Sequence, residues 1–265
     1  MNSSVNQNLR LAADMRAALK GKQFILHYQP QYELLNGKMV GAEALIRWEH
    51  PKLGMISPAT FIPIAEKTGL ITDIGEWVLR EACTQAAEWH RQGFKWMRVS
   101  VNLSPVQFRR GDLELVVTHA LAESSLPASA LELELTESLF IDESVVLTDV
   151  LRSLRERGVS LCIDDFGTGY SNLGYLKRFE VEMLKIDQSF IQRLTDNSQD
   201  EAIVRAMVQV AHSLKLKVLA EGIEDAQTLE HLRGLGCDLG QGFLWAPGLA
   251  AEAFEQLLHE QPGAA

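Results

Sequence analysis

The sequence predicts an α/β fold, a modified TIM-type (β/α)8 barrel whose first strand runs antiparallel to the rest. Three observations carry this reading. Strand and helix patterns alternate along most of the chain, eight strands can be counted, and 265 residues is close to the length at which such barrels form one unit. An open doubly wound sheet is the alternative arrangement of the same alternation. No internal repeat, low-complexity segment or linker rich in Pro and Gly asks for a second domain. Residues 21–265 therefore read as the barrel, and 1–20 as an N-terminal tail and short helix, a possible link from an upstream module.

Residues 1–8 read as a disordered start and 9–20 as a helix stopped by Gly21. Segments 24–30 and 38–48 read as strands joined through Asn36-Gly37, a strong hairpin signal. A parallel crossover needs a dozen or more residues, so these two strands must be antiparallel neighbours. Ser57-Pro58 reads as an N-cap with a first-turn proline, opening a helix to residue 67 with Gly69 just beyond; a second helix covers 73–91, with Gly93 as its stop. Alternation follows. Strand 97–103 precedes a helical region over 105–123; strand 131–136 precedes helix 143–157; strand 159–164 precedes a glycine loop and a short helix. Strand 181–186 precedes helix 199–214, strand 217–220 precedes helix 226–235, and strand 237–239 precedes the last helix, 251–260.

Composition narrows the function classes. With 46% hydrophobic residues and a mean hydropathy of -0.03, the chain has material for a large core. Its 25 basic and 35 acidic residues give a net charge of -10, which argues against DNA, RNA or an acidic membrane as partner; a phosphate ester would need cations as intermediaries. Cys83, Cys162 and Cys237 stand far apart without a Cys-x-x-Cys pair, and no His-x3-His spacing occurs among seven histidines, so thiolate and imidazole metal sites are not indicated. No apolar run approaches the roughly 18 residues of a membrane span. A cytoplasmic location is the expectation, with any membrane anchor in a longer parent protein.

The stretch Cys162-Ile163-Asp164-Asp165-Phe166-Gly167-Thr168-Gly169-Tyr170-Ser171 ends an apolar strand with two adjacent carboxylates and a Gly-x-Gly turn. Such a pair can hold hard cations, and such a turn can approach a phosphate, but Asp and Gly are also ordinary turn residues. Parity along the other strands decides. Glu43, Leu45 and Arg47 share one face, as do Arg98, Ser100 and Asn102; Glu132 and Glu134; Met183, Lys185 and Asp187; and Leu219 and Glu221. The opposite faces are apolar. A half-exposed antiparallel sheet with these groups facing water is the alternative, but the intervening helices favour a covered parallel sheet, in which the polar row would line the barrel mouth.

That mouth would hold Glu43, Asn102, Glu134, Asp164, Asp165 and Glu221, oxygen donors suited to magnesium or manganese. The donors exceed one magnesium site, so two cations are expected, one of the adjacent aspartates bridging both. Two metals about 3.5–4 Å apart are the usual device for phosphodiester hydrolysis. Lys185 would orient the attacking water or offset phosphate charge, unless it simply pairs with Asp187 or a glutamate; Arg47 would grip phosphate with its planar fork. No P-loop, dinucleotide fingerprint or nucleophile elbow is present.

The series Glu43-Ala44-Leu45-Ile46-Arg47-Trp48, Val101-Asn102-Leu103-Ser104, Glu134-Leu135-Thr136-Glu137-Ser138, Asp164 to Ser171, Leu184-Lys185-Ile186-Asp187, Ala220-Glu221-Gly222-Ile223-Glu224 and Gln241-Gly242-Phe243 resembles the EAL-domain family of bacterial cyclic di-GMP phosphodiesterases. The resemblance implies cleavage of one 3′,5′ linkage of cyclic di-GMP to linear pGpG by a metal-activated water, with Mg2+ or Mn2+. It assigns Glu43, Asn102, Glu134 and Asp164 to one metal, and Asp164, Asp165 and Asp187 or waters to the other. Lys185 contacts the catalytic water, and Glu221 is a general base or a metal-site residue. Gln29, Leu45, Arg47 and Gln241 resemble substrate contacts. Glu137 resembles a support for the loop after Asp165, acting through Thr168. The resemblance also implies a homodimer and a sensory or diguanylate-cyclase-like module upstream. Departures at Gln31, Asn172, Gly174 and Ala246-Pro247-Gly248 touch the lip of the substrate site and no metal position. A degenerate module that binds without cutting, and a barrel acting on another phosphodiester, are the alternatives.

Overall fold

The computed structural model describes residues 2–110, 112–137, 139, 145–168, 179–195 and 197–261. One ten-stranded sheet contains β1 (Phe24–Glu33), β2 (Met39–His50), β3 (Gly54–Ile56), β4 (Arg98–Leu103), β5 (Leu131–Thr136), β6 (Ser160–Phe166), β7 (Met183–Ile186), β8 (Lys217–Ala220), β9 (Leu239–Gly240) and β10 (Leu249–Ala250). Strands β2, β4, β5, β6, β7, β8 and β9 pair in parallel in that order, and β1 closes the ring by pairing antiparallel with both β2 and β9. This is the expected barrel with its reversed first strand. The short β3 and β10, too brief to show a period, extend β2 and β1 at the edges.

The hairpin forms where Asn36-Gly37 predicts it. Glu33 N–H donates to the Lys38 carbonyl at 2.8 Å, Gly37 N–H to the Glu33 carbonyl at 2.9 Å, and register then runs from Tyr32↔Met39 to Phe24↔Trp48. Both strands extend a few residues beyond their predicted ends because pairing continues where composition turns polar.

The helices are α1 (Asn2–Lys20), α2 (Pro58–Thr68), α3 (Ile71–Arg91), α4 (Pro105–Arg110), α5 (Leu113–Ser124), α6 (Val145–Glu156), α7 (Gln188–Ile191), α8 (Ser198–Ser213), α9 (Ala226–Leu235) and α10 (Ala251–His259). Several differ from the sequence reading. Helix α1 begins at Asn2 rather than residue 9. Its second half is docked through buried Leu11, Met15 and Ala18, and a helix nucleated there propagates cheaply toward its N-terminus. Ser57 occupies the N-cap of α2 but its side chain makes no cap hydrogen bond. The region 105–123 divides into α4 and α5, with Asp112 at the N-cap of α5. The start of the predicted helix 143–157 and the short helix after the glycine loop lie outside the described residues.

Below the mouth, Cys162, Met183, Leu219 and Leu239 make an apolar floor inside the barrel. Outside it, Val99, Val101, Leu103, Leu133, Leu135, Leu184, Ile186 and Val218 are buried in the layer between strands and helices. Each such side chain contributes roughly 1.5–3 kcal/mol. One hydrogen-bonded seam ties α1 to the barrel: His50 Nδ1 accepts from Lys52 and Leu53 N–H at 3.1 and 3.2 Å, so Nε2 carries the hydrogen and donates to Asp14 Oδ2 at 3.3 Å.

Leu133 is fully buried in the middle of β5. Leu133→Ala is expected to lower the unfolding free energy by about 2–5 kcal/mol, read from denaturant midpoints at unchanged slope.

Candidate active site

The inward row of each strand ends at one mouth. Residue by residue, β2 delivers Glu43, β4 Asn102, β5 Glu134, β6 Asp164 and β7 Lys185, with Glu221 directly after β8 and Gln241 directly after β9. Ladder register aligns them: Glu43 opposes Gln29 of β1, and Asn102 opposes Glu134.

Adjacent residues of a regular strand point to opposite faces, so Asp164 and Asp165 could not both enter the mouth without a break. The break is present. Register between β6 and β7 shifts between Ile163 and Phe166, and Asp165 takes φ +55°, the left-handed region that Asp tolerates better than most residues. This bulge turns both carboxylates inward. Ligand atoms of Asp164, Asp165 and Glu221 all lie within 4.8 Å of one another. Asp165 N–H also donates to Asp164 Oδ1 at 3.0 Å.

Lys185 is the centre of the site and is 0% exposed. Its Nζ lies 2.7 Å from Glu221 Oε1, 2.8 Å from Glu134 Oε2, 3.1 Å from Glu43 Oε2 and 3.4 Å from Asp164 Oδ1. Burial alone would lower its pKa, but Asp164, Glu134, Glu221 and Glu43 raise it well above the ordinary lysine range. The carboxylates divide in response. Burial would raise Glu43 too, yet Lys185 and the amides of Gln241 and Asn102 hold it below its ordinary value. Glu134 is pushed well up by burial and by Glu43. Glu221 rises to about 7, again by burial first, with Lys185 opposing and Asp164 adding to the rise. Asp165 rises to about 6 through burial, Asp164 and Asp187.

Two amides complete the cluster. Asn102 Nδ2 donates to Glu43 Oε1 at 2.6 Å; Gln241 Nε2 donates to Glu43 Oε2 at 2.6 Å and to Glu221 Oε1 at 3.3 Å. The place of Gln241 depends on Gly242, where a Cβ would stand 2.1 Å from the Ile223 carbonyl oxygen. That contact lets Ile223 N–H bond the Gln241 carbonyl at 3.1 Å.

Asp187 is at the mouth but does not pair with Lys185. It caps α7, accepting from Ser189 N–H at 3.0 Å. Glu137 reaches the loop after Asp165 by a different contact from the one expected. Its Oε2 accepts from Gly167 N–H at 3.3 Å, whereas Thr168 Oγ1 turns back to donate to the Asp165 carbonyl at 2.8 Å. A hydroxyl one turn from a bulge finds that carbonyl before it can reach another strand. Gly167 takes φ +97°, where a side chain would be strained, and a Cβ would also have to displace the tip of Met207, whose Cε would lie 2.2 Å away. Ser138, Gly169, Tyr170, Ser171, Asn172 and Gly174 lie outside the described residues.

A cleft of about 410 Å³ opens from the cluster, with Gln29, Leu45, Arg47, Glu221, Gln241 and Phe243 among its walls. Gln29 Nε2 donates to the Ala246 carbonyl at 3.2 Å, so it also holds the lip whose sequence departs from the family pattern. Phe243 is 68% exposed there. His27 lines the same cleft and bonds the Gly248 carbonyl at 3.0 Å. The sequence carries a signal for it, since His27 shares strand parity with Gln29 on β1.

The donor set fits hard divalent cations. It is all oxygen and amide, strongly acidic, and includes Glu134 Oε1, a buried atom with no hydrogen-bond partner among the described residues. A buried unpaired carboxylate oxygen is costly, and a cation bound beside it would satisfy it.

Fold and site together define a (β/α)8-type barrel protein with an acidic, lysine-centred mouth that carries a divalent-cation donor set. This chain belongs to the EAL domain family, whose model matches residues 12–248. Similar curated proteins include the bifunctional diguanylate cyclase/cyclic di-GMP phosphodiesterase MucR of Pseudomonas aeruginosa, 47% identical over 252 residues, 95% of this chain and 37% of MucR. The cyclic di-GMP phosphodiesterase NbdA of the same organism is 43% identical over 255 residues, 95% of this chain and 32% of NbdA. The chain thus spans about a third of these relatives. Among solved structures, the PaMucR phosphodiesterase in complex with c-di-GMP gives a TM-score of 0.89 at 47% identity, covering 92% of this chain and 99% of that one. The EAL enzyme Bd1971, bound to cAMP and cyclic di-GMP, gives 0.91 at 31% identity, covering 97% of this chain and 70% of that one.

Because Glu221 and Asp165 sit above their ordinary values, the folded, cation-free protein holds protons that the unfolded chain has already released. Their contribution is complete at acid pH and is lost as pH rises through about 6 and 7. In chelator, the melting temperature is therefore expected to fall between about pH 5 and pH 8, and Glu221→Gln to shrink that fall, as read by calorimetry.

Proposed function

We propose that this barrel hydrolyses one 3′,5′ phosphodiester bond of cyclic di-GMP, releasing linear pGpG. The observation that carries the reading is the buried Lys185 set among Glu43, Glu134, Asp164 and Glu221, with Glu134 Oε1 left unpartnered. Relatives named as cyclic di-GMP phosphodiesterases, and a similar barrel solved with c-di-GMP, supply the substrate class. An intact ligand set argues against a module that only binds.

Glu43, Asn102, Glu134, Asp164, Asp165 and Glu221 are the residues that would hold two cations, Mg2+ or Mn2+. When bound, these supply Lewis acidity toward the attacking water and the phosphate oxygens. The chain does the rest. Lys185, fixed by its carboxylates, points its ammonium where the water must stand and offsets equatorial phosphate charge. Glu221 lies close to neutrality in proton affinity and can take the water's proton, though its contact with Lys185 and its place beside Asp164 suit it equally to holding a cation. The water oxygen bonds phosphorus, the bond from phosphorus to the 3′ oxygen breaks, and that oxygen takes up a proton. Gln29, Leu45, Arg47 and Gln241 line the cleft in which the cyclic dinucleotide would lie, Arg47 offering its guanidinium to a phosphate. Asp187, through its field on Asp165, would add to the pull of that carboxylate on a cation. Glu137 and Thr168 hold the segment after Asp165, one from another strand and one from within.

In a parent protein of the relatives' length, the barrel would act in the cytoplasm as a homodimer under a sensory or diguanylate-cyclase-like module upstream. Among the described residues no helix is long and apolar enough to cross a membrane.

Chromatography of purified protein with Mg2+ or Mn2+ is expected to show pGpG accumulating from cyclic di-GMP. Chelator should stop the reaction and excess cation restore it, while Glu43→Ala should lose activity by about a hundredfold or more. Intact cyclic di-GMP after incubation with cation-loaded protein would refute the proposal.

A further inference from the structure

The acidic mouth continues downward into the barrel as a buried polar thread. Gln241 gives its Nε2 to Glu43 and Glu221, so its Oε1 faces away from them. There it accepts from Gln31 Nε2 at 3.1 Å. The same Gln31 nitrogen donates to Ser100 Oγ at 3.4 Å, and Ser100 Oγ donates to Glu132 Oε1 at 3.1 Å. Gln31, Ser100, Glu132 and Gln241 are all buried.

Directionality makes Gln31 special. Glu43 accepts from Asn102, Lys185 and Gln241, so the hydrogens of Gln241 are committed toward the mouth. The Oε1 of Gln241 then needs a donor from below. Ser100 has committed its one hydrogen to Glu132, so it can only accept from above. Position 31 must therefore donate in two directions from one group, which an –NH2 does and a carboxylate, hydroxyl or thioether cannot.

The backbone has made room for this amide. Gln31 is the cross-strand partner of Gly41, and a Cβ at Gly41 would lie 3.3 Å from Gln31 Oε1 and 3.0 Å from the Arg98 carbonyl oxygen. The β1–β2 register also shifts between Gln31 and Tyr32, immediately after the amide is placed.

We infer that Gln31 is a positioning residue: its amide sets which face Gln241 turns to Glu43 and Glu221, and thereby the arrangement in which those carboxylates meet a cation. This rests on the cation-binding reading of the mouth, and it concerns a residue that touches neither cation nor substrate. Without Gln31's N–H groups, Gln241 can rotate its carbonyl toward Glu43, placing acceptor against acceptor. Outer-sphere partners of this kind typically change metal affinity by about 10–100-fold.

The test uses Gln31→Met, which keeps length and removes both donors, with Ser100→Ala as a second variant that cuts the thread one link further down. Two readouts are taken. One is hydrogen exchange of the Gln241 side-chain amide by NMR in cation-free protein; the other is Mn2+ affinity by calorimetry. Gln31→Met should speed the exchange and weaken Mn2+ binding, each by about tenfold, with the folded state retained in circular dichroism, and Ser100→Ala should do the same to a smaller extent. If Gln31→Met does not fold, the Ser100→Ala result decides. Wild-type exchange and wild-type Mn2+ affinity in the folded variants would overturn the inference. A wild-type protein that binds no Mn2+ would overturn the cation reading instead, and the exchange rates would still decide the role of Gln31.

Discussion

The site is organised by one electrostatic constraint. An ammonium sealed inside a barrel is tolerable only if anions reach it, and four carboxylates brought to the mouth are tolerable only if something cationic stands among them. Lys185 and the group of Glu43, Glu134, Asp164 and Glu221 answer each other. A single ammonium does not neutralise four carboxylates, and the remainder appears as proton affinity: Glu134 and Glu221 climb above the ordinary carboxylate range.

Much of this was written in the pattern of residues. Period-two alternation, with polar side chains at the ends of strands otherwise apolar, placed Glu43, Asn102, Glu134, Lys185 and Glu221 on one surface, and the structure brings them together. The Asn36-Gly37 hairpin, with no room for a crossover, fixed the antiparallel first strand. These features are local or periodic, and local rules reach them.

What escaped was set by pairing between distant segments. No periodic rule allows Asp164 and Asp165 to share a face; the bulge that permits it is a register shift against β7, visible only once β6 and β7 are side by side. The contact of Glu137 with Gly167 N–H rather than with Thr168 depends on how that bulge turns the chain. Gln31 stood out in the sequence only as a departure at the lip. Its actual place, one layer below Gln241, follows from the β1–β2 register, which sets it opposite Gly41 on the same inward face as Gln29.

The left-handed backbone at Asp165 restricts how the site can diverge. At φ +55° Asp, Asn and Gly are the least strained residues, although Lys22, Ser125, Glu180 and Lys215 take the same region elsewhere in this chain, and an exchange to Asn or Gly removes the charge and keeps the bulge. A descendant of this barrel can therefore shed half of its aspartate pair in a single step while its strands, its lysine and its cleft stay as they are. The geometry that assembles the pair thus also leaves its charge easy to lose, at little expense in backbone strain.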